Sequence, residues 1–361
     1  MLSCSNIESN KKEEKNYDDI SLQLKWERLE DHSAYNQNNQ QYPNIKKSVI
    51  SPDNKYVLSG NNMGNDVILW DAESGESIWE KILEDKTLCV GFSQNSKHAI
   101  TGNSDNSAKV WNVKTGELIK ALSLTSAPHN IVFSNHSSLM AICCEDGSVS
   151  VWKSKNYQLA KIISKSSFKS DSLSFIDDYK IKSVTFSPDD RFLMIADNLG
   201  NIHFWDVNNF TYQQTTKAVE EKVEETSISP NGKIFAYTFK DDQQNDGGVQ
   251  SESLVLWCLT NRKEIYRHEF PSGLQSILFA PNNQFLMAYG AEGKNLDKPF
   301  SKFANTYFFK LQYNEETMDS IHMIKKSKSY LPESARFNTN GNLLITSHND
   351  GMLRLWDVAY H

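Results

Sequence analysis

Short apolar runs alternate with polar turns along most of this chain, and the unit is clearest from Phe92 to Leu118. A Phe-Ser-Gln-Asn-Ser turn leads into a run that ends at Thr101. Gly-Asn-Ser-Asp-Asn follows, then Ala108-Lys-Val-Trp-Asn-Val113, and Lys114-Thr115-Gly116 precedes Leu118. Brief apolar runs bounded by Gly, Asn, Asp and Ser predict strands joined by tight turns. Gly116 suits the turn that ends the Trp strand, because glycine takes backbone angles that branched residues resist. Asp105 lies six residues before Trp111.

The unit recurs. Aligned on Trp or its substitute it gives Trp70, Trp111, Trp152, Trp205, Trp257, Phe309 and Trp356, spaced by 41, 41, 53, 52, 52 and 47 residues. A matching turn precedes each aromatic, among them Ser51-Pro-Asp-Asn54, Ser93-Gln-Asn-Ser96, Ser187-Pro-Asp-Asp190, Ser229-Pro-Asn-Gly232 and Asn338-Thr-Asn-Gly341. A period near 40–45 with a terminal Trp-Asp marks one four-stranded propeller blade. Upstream, Ile20-Ser-Leu-Gln-Leu-Lys-Trp26 alternates with period two and predicts a strand, followed by an Asn/Gln-rich linker at Asn36–Gln41. Residues 1–19 are polar and predict a disordered tail, with one repeat domain over 20–361.

Phe186-Ser-Pro-Asp-Asp190 with Phe204-Trp-Asp-Val207, and Asp350-Gly351 with Leu355-Trp-Asp-Val358, resemble WD40 repeats. The resemblance covers about residues 42 to 358. It implies an all-β fold, a seven-bladed β-propeller of four-stranded antiparallel blades, and a role as an interaction platform. The last blade reaches only its third strand at Val358, so the strand at Ile20–Leu29 is the spare fourth and is expected to close the ring. The Gly-His pair that opens many such repeats is absent, so the His-to-Asp hydrogen-bond chain of the family is not expected from matching residues.

The net charge of -7 argues against nucleic acid, which calls for clustered Lys and Arg. Five cysteines (Cys4, Cys89, Cys143, Cys144 and Cys258) show neither zinc spacing nor a disulfide framework. No apolar run reaches the ~18 residues of a membrane span. Met1-Leu-Ser-Cys-Ser5 resembles the lipoprotein cleavage box, which makes Cys4 a candidate lipidation site if an apolar segment lies upstream. Otherwise a cytoplasmic chain, monomeric on its own, is expected.

Catalytic chemistry finds little support. Asp105, Asp146 and Asp350 each stand six residues before their Trp, and recurrence in register points to turn capping, not catalysis. The histidines lack metal-ligand spacing, and neither a nucleophile elbow nor a phosphate-binding Gly-rich loop occurs. Asp71 to Trp79 resembles the docking motif of quinone-dependent propellers but occurs once, whereas that architecture needs it in most blades. No catalytic residue, metal or cofactor is therefore assigned.

What remains is unequal blade length. Extra residues fall at 164–180, 240–253 and 290–306, all on connections that leave one face of the disc. Long insertions in compact folds are usually functional or disordered. Two of them carry aromatics (Phe168, Phe175 and Tyr179; Phe300 and Phe303) with Lys165, Lys169, Lys298 and Lys302 beside them. These nine residues are the expected partner-binding set, because exposed aromatics anchor interfaces. The reading is a non-enzymatic scaffold for a protein or peptide. The rival is a hydrolase or lyase with its site in the central channel or under those loops.

Overall fold

The computed structural model describes residues 20–29, 45–61, 65–136, 139–168, 179–218, 222–240, 252–270, 273–291, 303–314, 317–330, 332–348 and 351–360. They form seven four-stranded antiparallel sheets, and one 3-10 turn at Lys165–Ser167 is the only helical element among them. Blades one to six span 45–82, 87–123, 128–163, 181–217, 223–270 and 274–330 in sequence order. Blade seven takes three strands from 332–360, and its outermost strand is Ile20–Leu29. That strand runs antiparallel to Met352–Tyr360 from Ile20 opposite Tyr360 to Leu29 opposite Met352. The innermost strands of neighbouring blades touch all the way round, so the ring is closed.

The apolar positions sort into seven cores, one at each blade interface. Leu58 and Leu69 of blade one meet Phe92 and Trp111 of blade two. At the seam, Trp26 and Leu355 of blade seven meet Val57 and Trp70 of blade one. Every blade therefore contributes to two cores and owns neither, which is the energetic signature of a repeat fold.

Two bulges recur in each blade. One falls just before the Trp position, as at Val110/Trp111 and Phe204/Trp205. The other falls at the start of the innermost strand, as at Pro128/Asn130 and Ile181/Ser183. A bulge leaves one residue unpaired and re-aims its side chain. His129 and Lys182 are the unpaired residues, and both face the axis.

The Ser-x-Asp/Asn turns explain their own sequence. Ser51 Oγ donates to Asp53 Oδ1 at 2.7 Å and accepts from Tyr56 N at 3.0 Å. Ser187 repeats this with Asp189 and Phe192, and Ser229 with Asn231 and Ile234. The fourth turn residue has positive φ (Asn54 61°, Asp190 52°, Asn283 60°) and reaches the neighbouring blade. Asn283 Oδ1 accepts from Asn231 N at 2.8 Å, and Asp190 accepts from the amides of Asn135 and His136. Asp190 is buried. Its replacement by Ala orphans two amides and places a side chain without local hydrogen bonding at positive φ. Asp190→Ala should cost about 2–3 kcal/mol, and Asp190→Asn, which keeps one of the two acceptor oxygens and tolerates positive φ, about 1–2, read from urea unfolding midpoints.

Candidate interaction face and central channel

Strand order fixes which face each connection leaves. Segment 164–180 joins the last strand of blade three to the first of blade four, while 241–251 and 292–302 join second to third strands in blades five and six. In an antiparallel blade both kinds of connection emerge on the same side. The inserted lengths are smaller than the sequence suggested. Gly290 and Ala291 continue the strand Phe285–Ala291, and Phe303 already opens Phe303–Asn314.

The structure corrects part of the expected aromatic set. Phe168 is 3% exposed, stacked on His203 with ring centroids 4.1 Å apart and edge-on to Trp205 at 6.2 Å. Tyr179 is 5% exposed, and Lys165 Nζ lies 5.6 Å over its ring. Both rings belong to the core between blades three and four, so neither is a surface anchor. Burial of a large aromatic stabilises more than exposure, and Phe168 and Tyr179 turn inward accordingly. Lys169, Phe175, Lys298, Phe300 and Lys302 lie outside the described residues, as does Cys4. The Phe303 backbone starts a strand, and its side chain also lies outside the description.

A buried histidine network does form, from residues that match no repeat position of the family. His203 Nε2 lies 3.0 Å from Asp197 Oδ2, and His203 Nδ1 lies 2.6 Å from Thr215 Oγ1. Thr-His-Asp is also the order of a hydrolytic relay. Here Asp197 is held by Leu199 N, Asn201 N and Asn201 Nδ2, His203 is capped by Phe168, and both residues lie outside the lining of the axial channel. The network ties the third strand of blade four to its neighbours. Elsewhere the Trp indole supplies the polar link. Trp70 donates to Ser59 Oγ at 2.9 Å, Trp111 to Thr101 Oγ1 at 3.1 Å and Trp356 to Thr346 Oγ1 at 2.8 Å, with His348 Nε2 2.8 Å from that same hydroxyl. Asp105 and Asp146 cap their turns by accepting from Ser107 and Ser148.

The single docking-like motif at Asp71–Trp79 takes part in two contacts between blades. Trp26 Nε1 donates to Ala72 O at 3.0 Å, and a Cβ on Gly75 (φ 69°) would lie 2.8 Å from the Trp26 ring. Trp79 Nε1 donates to Val113 O at 2.7 Å and covers Gly116 (φ 67°) of the next blade in the same way. Lys120, 41 residues after Trp79, takes this place at the following interface by donating to Asn156 O and Tyr157 O. The motif is a latch between blades.

The axis of the ring is a channel of about 730 Å³. Its wall is drawn from all the innermost strands and carries Lys47, His129, Lys182, Glu225 and Arg336 from five different blades. Burial pushes the Glu225 carboxyl up to about 7, even with Lys182, Lys47 and Arg336 near enough to favour its charged form. Burial likewise holds His129 below its usual range, against the opposing pull of Glu145. The sequence signal for this site was a set of charges interrupting the innermost strands, where alternation alone assigned no role. Cys89 and Cys143 are buried free thiols, and burial pushes Cys89 up to about 12, so both are packing residues at neutral pH. Among the described residues no group of His, Cys, Asp and Glu is placed to hold a metal, and no helix is long and apolar enough to cross a membrane.

Seven radial sheets around an axial channel, each with an aromatic on its third strand, define a seven-bladed β-propeller. The family model described as "WD domain, G-beta repeat" matches residues 83–112, 119–153, 172–206 and 323–357, each match ending one residue after an aligned Trp, so four stretches of this seven-bladed propeller match WD repeats. Among curated relatives it is similar to the small ribosomal subunit protein RACK1 of Schizosaccharomyces pombe, 23% identical over 158 residues that make up 43% of each chain. It is also similar to the small ribosomal subunit protein RACK1z of Arabidopsis thaliana, 27% identical over 139 residues, 38% of this chain and 39% of the relative. The matched stretch spans less than half the length of either relative.

Proposed function

We propose that this chain is a non-enzymatic protein-interaction scaffold, and that its partner is a protein or peptide seated on the face from which segments 164–180, 241–251 and 292–302 leave the blades. The observation that carries the reading is that segments 164–180, 241–251 and 292–302 all join strands on one side of the ring, while the lengthened hairpin of Phe303–Asn314 and Thr317–Tyr330 extends on the other. A rigid platform with variable connections is a common way to present a binding surface. The kinship with ribosomal subunit proteins supports a partner within a larger cytoplasmic assembly. The net charge of -7 makes a protein component of such an assembly a better fit than its nucleic acid.

The test compares partner capture by the full chain with capture by two loop variants, one with 169–178 and one with 292–302 replaced by short Gly-Ser linkers. Both variants should keep the parent melting temperature and lose at least about tenfold in affinity, because a few contacts carry most interface energy. Substitutions at Asn282, in a turn on the opposite face, should leave capture unchanged. Loss of partner from the Asn282 variants alone would sink the assignment of the face.

A further inference from the structure

The channel wall has a charge that the rest of the chain does not share. Its described Lys, Arg, Asp and Glu residues are Lys47, Lys180, Lys182 and Arg336 against Glu145 and Glu225, four cations to two carboxylates, and burial holds His129 below its usual range. The whole chain carries -7. Lys47, Lys182 and Arg336 come from blades one, four and seven, yet all three act on the carboxylate of Glu225 in blade five, and Lys47 and Lys182 both act on His129 in blade three. Five side chains from five blades thus converge across one space. Asn130 and Ser276 line the same space and bring neutral hydrogen-bond donors. A volume of about 730 Å³ lies within the range of small-ligand sites (roughly 300–1,000 Å³).

Convergent cations repel one another, and the carboxylates of Glu225 and Glu145 on the same wall offset part of that repulsion. An anion that bridges them lowers it further. We propose that the central channel is a binding site for a tetrahedral dianion of the phosphate or sulfate type, held between Lys47, Lys182 and Arg336. Recognition of such a group rests on charge-assisted hydrogen bonds from Lys and Arg, which are shorter and stronger than neutral ones. The low-dielectric wall of a channel strengthens them further. The site is independent of partner capture on the loop face, and the anion is either free in solution or carried on a phosphorylated side chain.

Glu225 gives the site a pH dependence of fixed sign. It faces Lys182, Lys47 and Arg336 across the channel and Glu252 on its own blade, whose carboxyl burial also pushes up. Below about pH 7 Glu225 takes a proton and the channel gains one net positive charge, so anion affinity rises as pH falls from 8 to 6.

Isothermal titration of the full chain with inorganic sulfate, at low chloride, tests the site. Sulfate stays doubly charged from pH 6 to pH 8, so a pH effect reports the protein. We expect saturable binding that is several-fold tighter at pH 6, weakened about tenfold or more by Lys182→Gln and by Arg336→Ala. Glu225→Gln should hold the tighter affinity at both pH values. A parallel titration with N-acetyl-phosphoserine amide separates the sources. Tighter binding than sulfate, with the same variant sensitivity, assigns the anion to a modified side chain, and weaker binding assigns it to a free ion. No sulfate binding at pH 6 overturns the proposal. So does binding that survives unchanged in Lys182→Gln and Arg336→Ala when both variants melt with the parent chain.

Discussion

A chain that begins at residue 31 should melt far below one that begins at residue 16. The shorter chain lacks Ile20–Leu29, the fourth strand of blade seven, and exposes the edge of Met352–Tyr360. It also loses Trp26 from the core at the blade seven to blade one seam, and Ile20 from the core with blade six. Arg28 goes with it, and with Arg28 the donors to Ser74 O and Gly75 O of blade one at 2.9 Å. A point change should reproduce much of this effect. Trp26 is 6% exposed and hydrogen-bonded across the seam, so Trp26→Ala should cost about 3–5 kcal/mol. Leu24 on the same strand is 41% exposed, and Leu24→Ala should stay within about 0.5 kcal/mol. Calorimetry on both truncations decides the matter, and equal melting temperatures would remove the strand from the account of closure.

The second large effect is expected at Trp111. Its ring is 6% exposed in the core between blades one and two, and its indole donates to Thr101. Trp111→Ala should cost about 3–5 kcal/mol by chemical denaturation. Asp105 is an exposed turn cap paired with Lys109 at 3.3 Å, and Asp105→Ala should cost about 1 kcal/mol. Replacement by Phe separates packing from hydrogen bonding. Trp111→Phe leaves Thr101 without its donor. Trp205→Phe removes an indole N–H that is buried and has no acceptor among the described residues, so it should be the milder change. If Trp205→Phe proves the costlier of the two, the polar link is not what distinguishes these positions.

The ring was legible because its signals repeat. Seven aromatics and seven turns in register predicted seven blades, and the spare strand at Ile20 predicted how blade seven is completed. Features built once were harder to read. Phe168 lies in a segment without periodicity, and nothing in its spacing told that its ring would fold back onto His203 instead of facing solvent. His203 sits in the third strand of its blade, not before the first, so alignment to the family's His position passed over it. The fourth turn residue was visible as a recurrent Asn, Asp or Gly, yet its reach into the next blade depends on the curvature of the ring. The channel charges failed to stand out for the same reason. Lys47, Lys182, Glu225 and Arg336 are up to 289 positions apart in sequence, and only closure brings them onto one axis.

The seam sets a schedule for synthesis. Ile20 pairs with Tyr360, 340 residues later in the chain. At ~5–20 residues per second, the first strand emerges roughly 20–70 seconds before its partner exists. Throughout that interval an alternating strand with Trp26 on its apolar side is tethered to a growing, open arc of blades. It has only the turn of blade one to lean on, through Ala72 and Gly75. The grip of Trp26 and Arg28 on that turn can therefore form early, parking the strand at the edge where Met352–Tyr360 will arrive. Closure then becomes the docking of a late segment onto a waiting template, whose own backbone groups gain a ladder partner only when Met352–Tyr360 arrives.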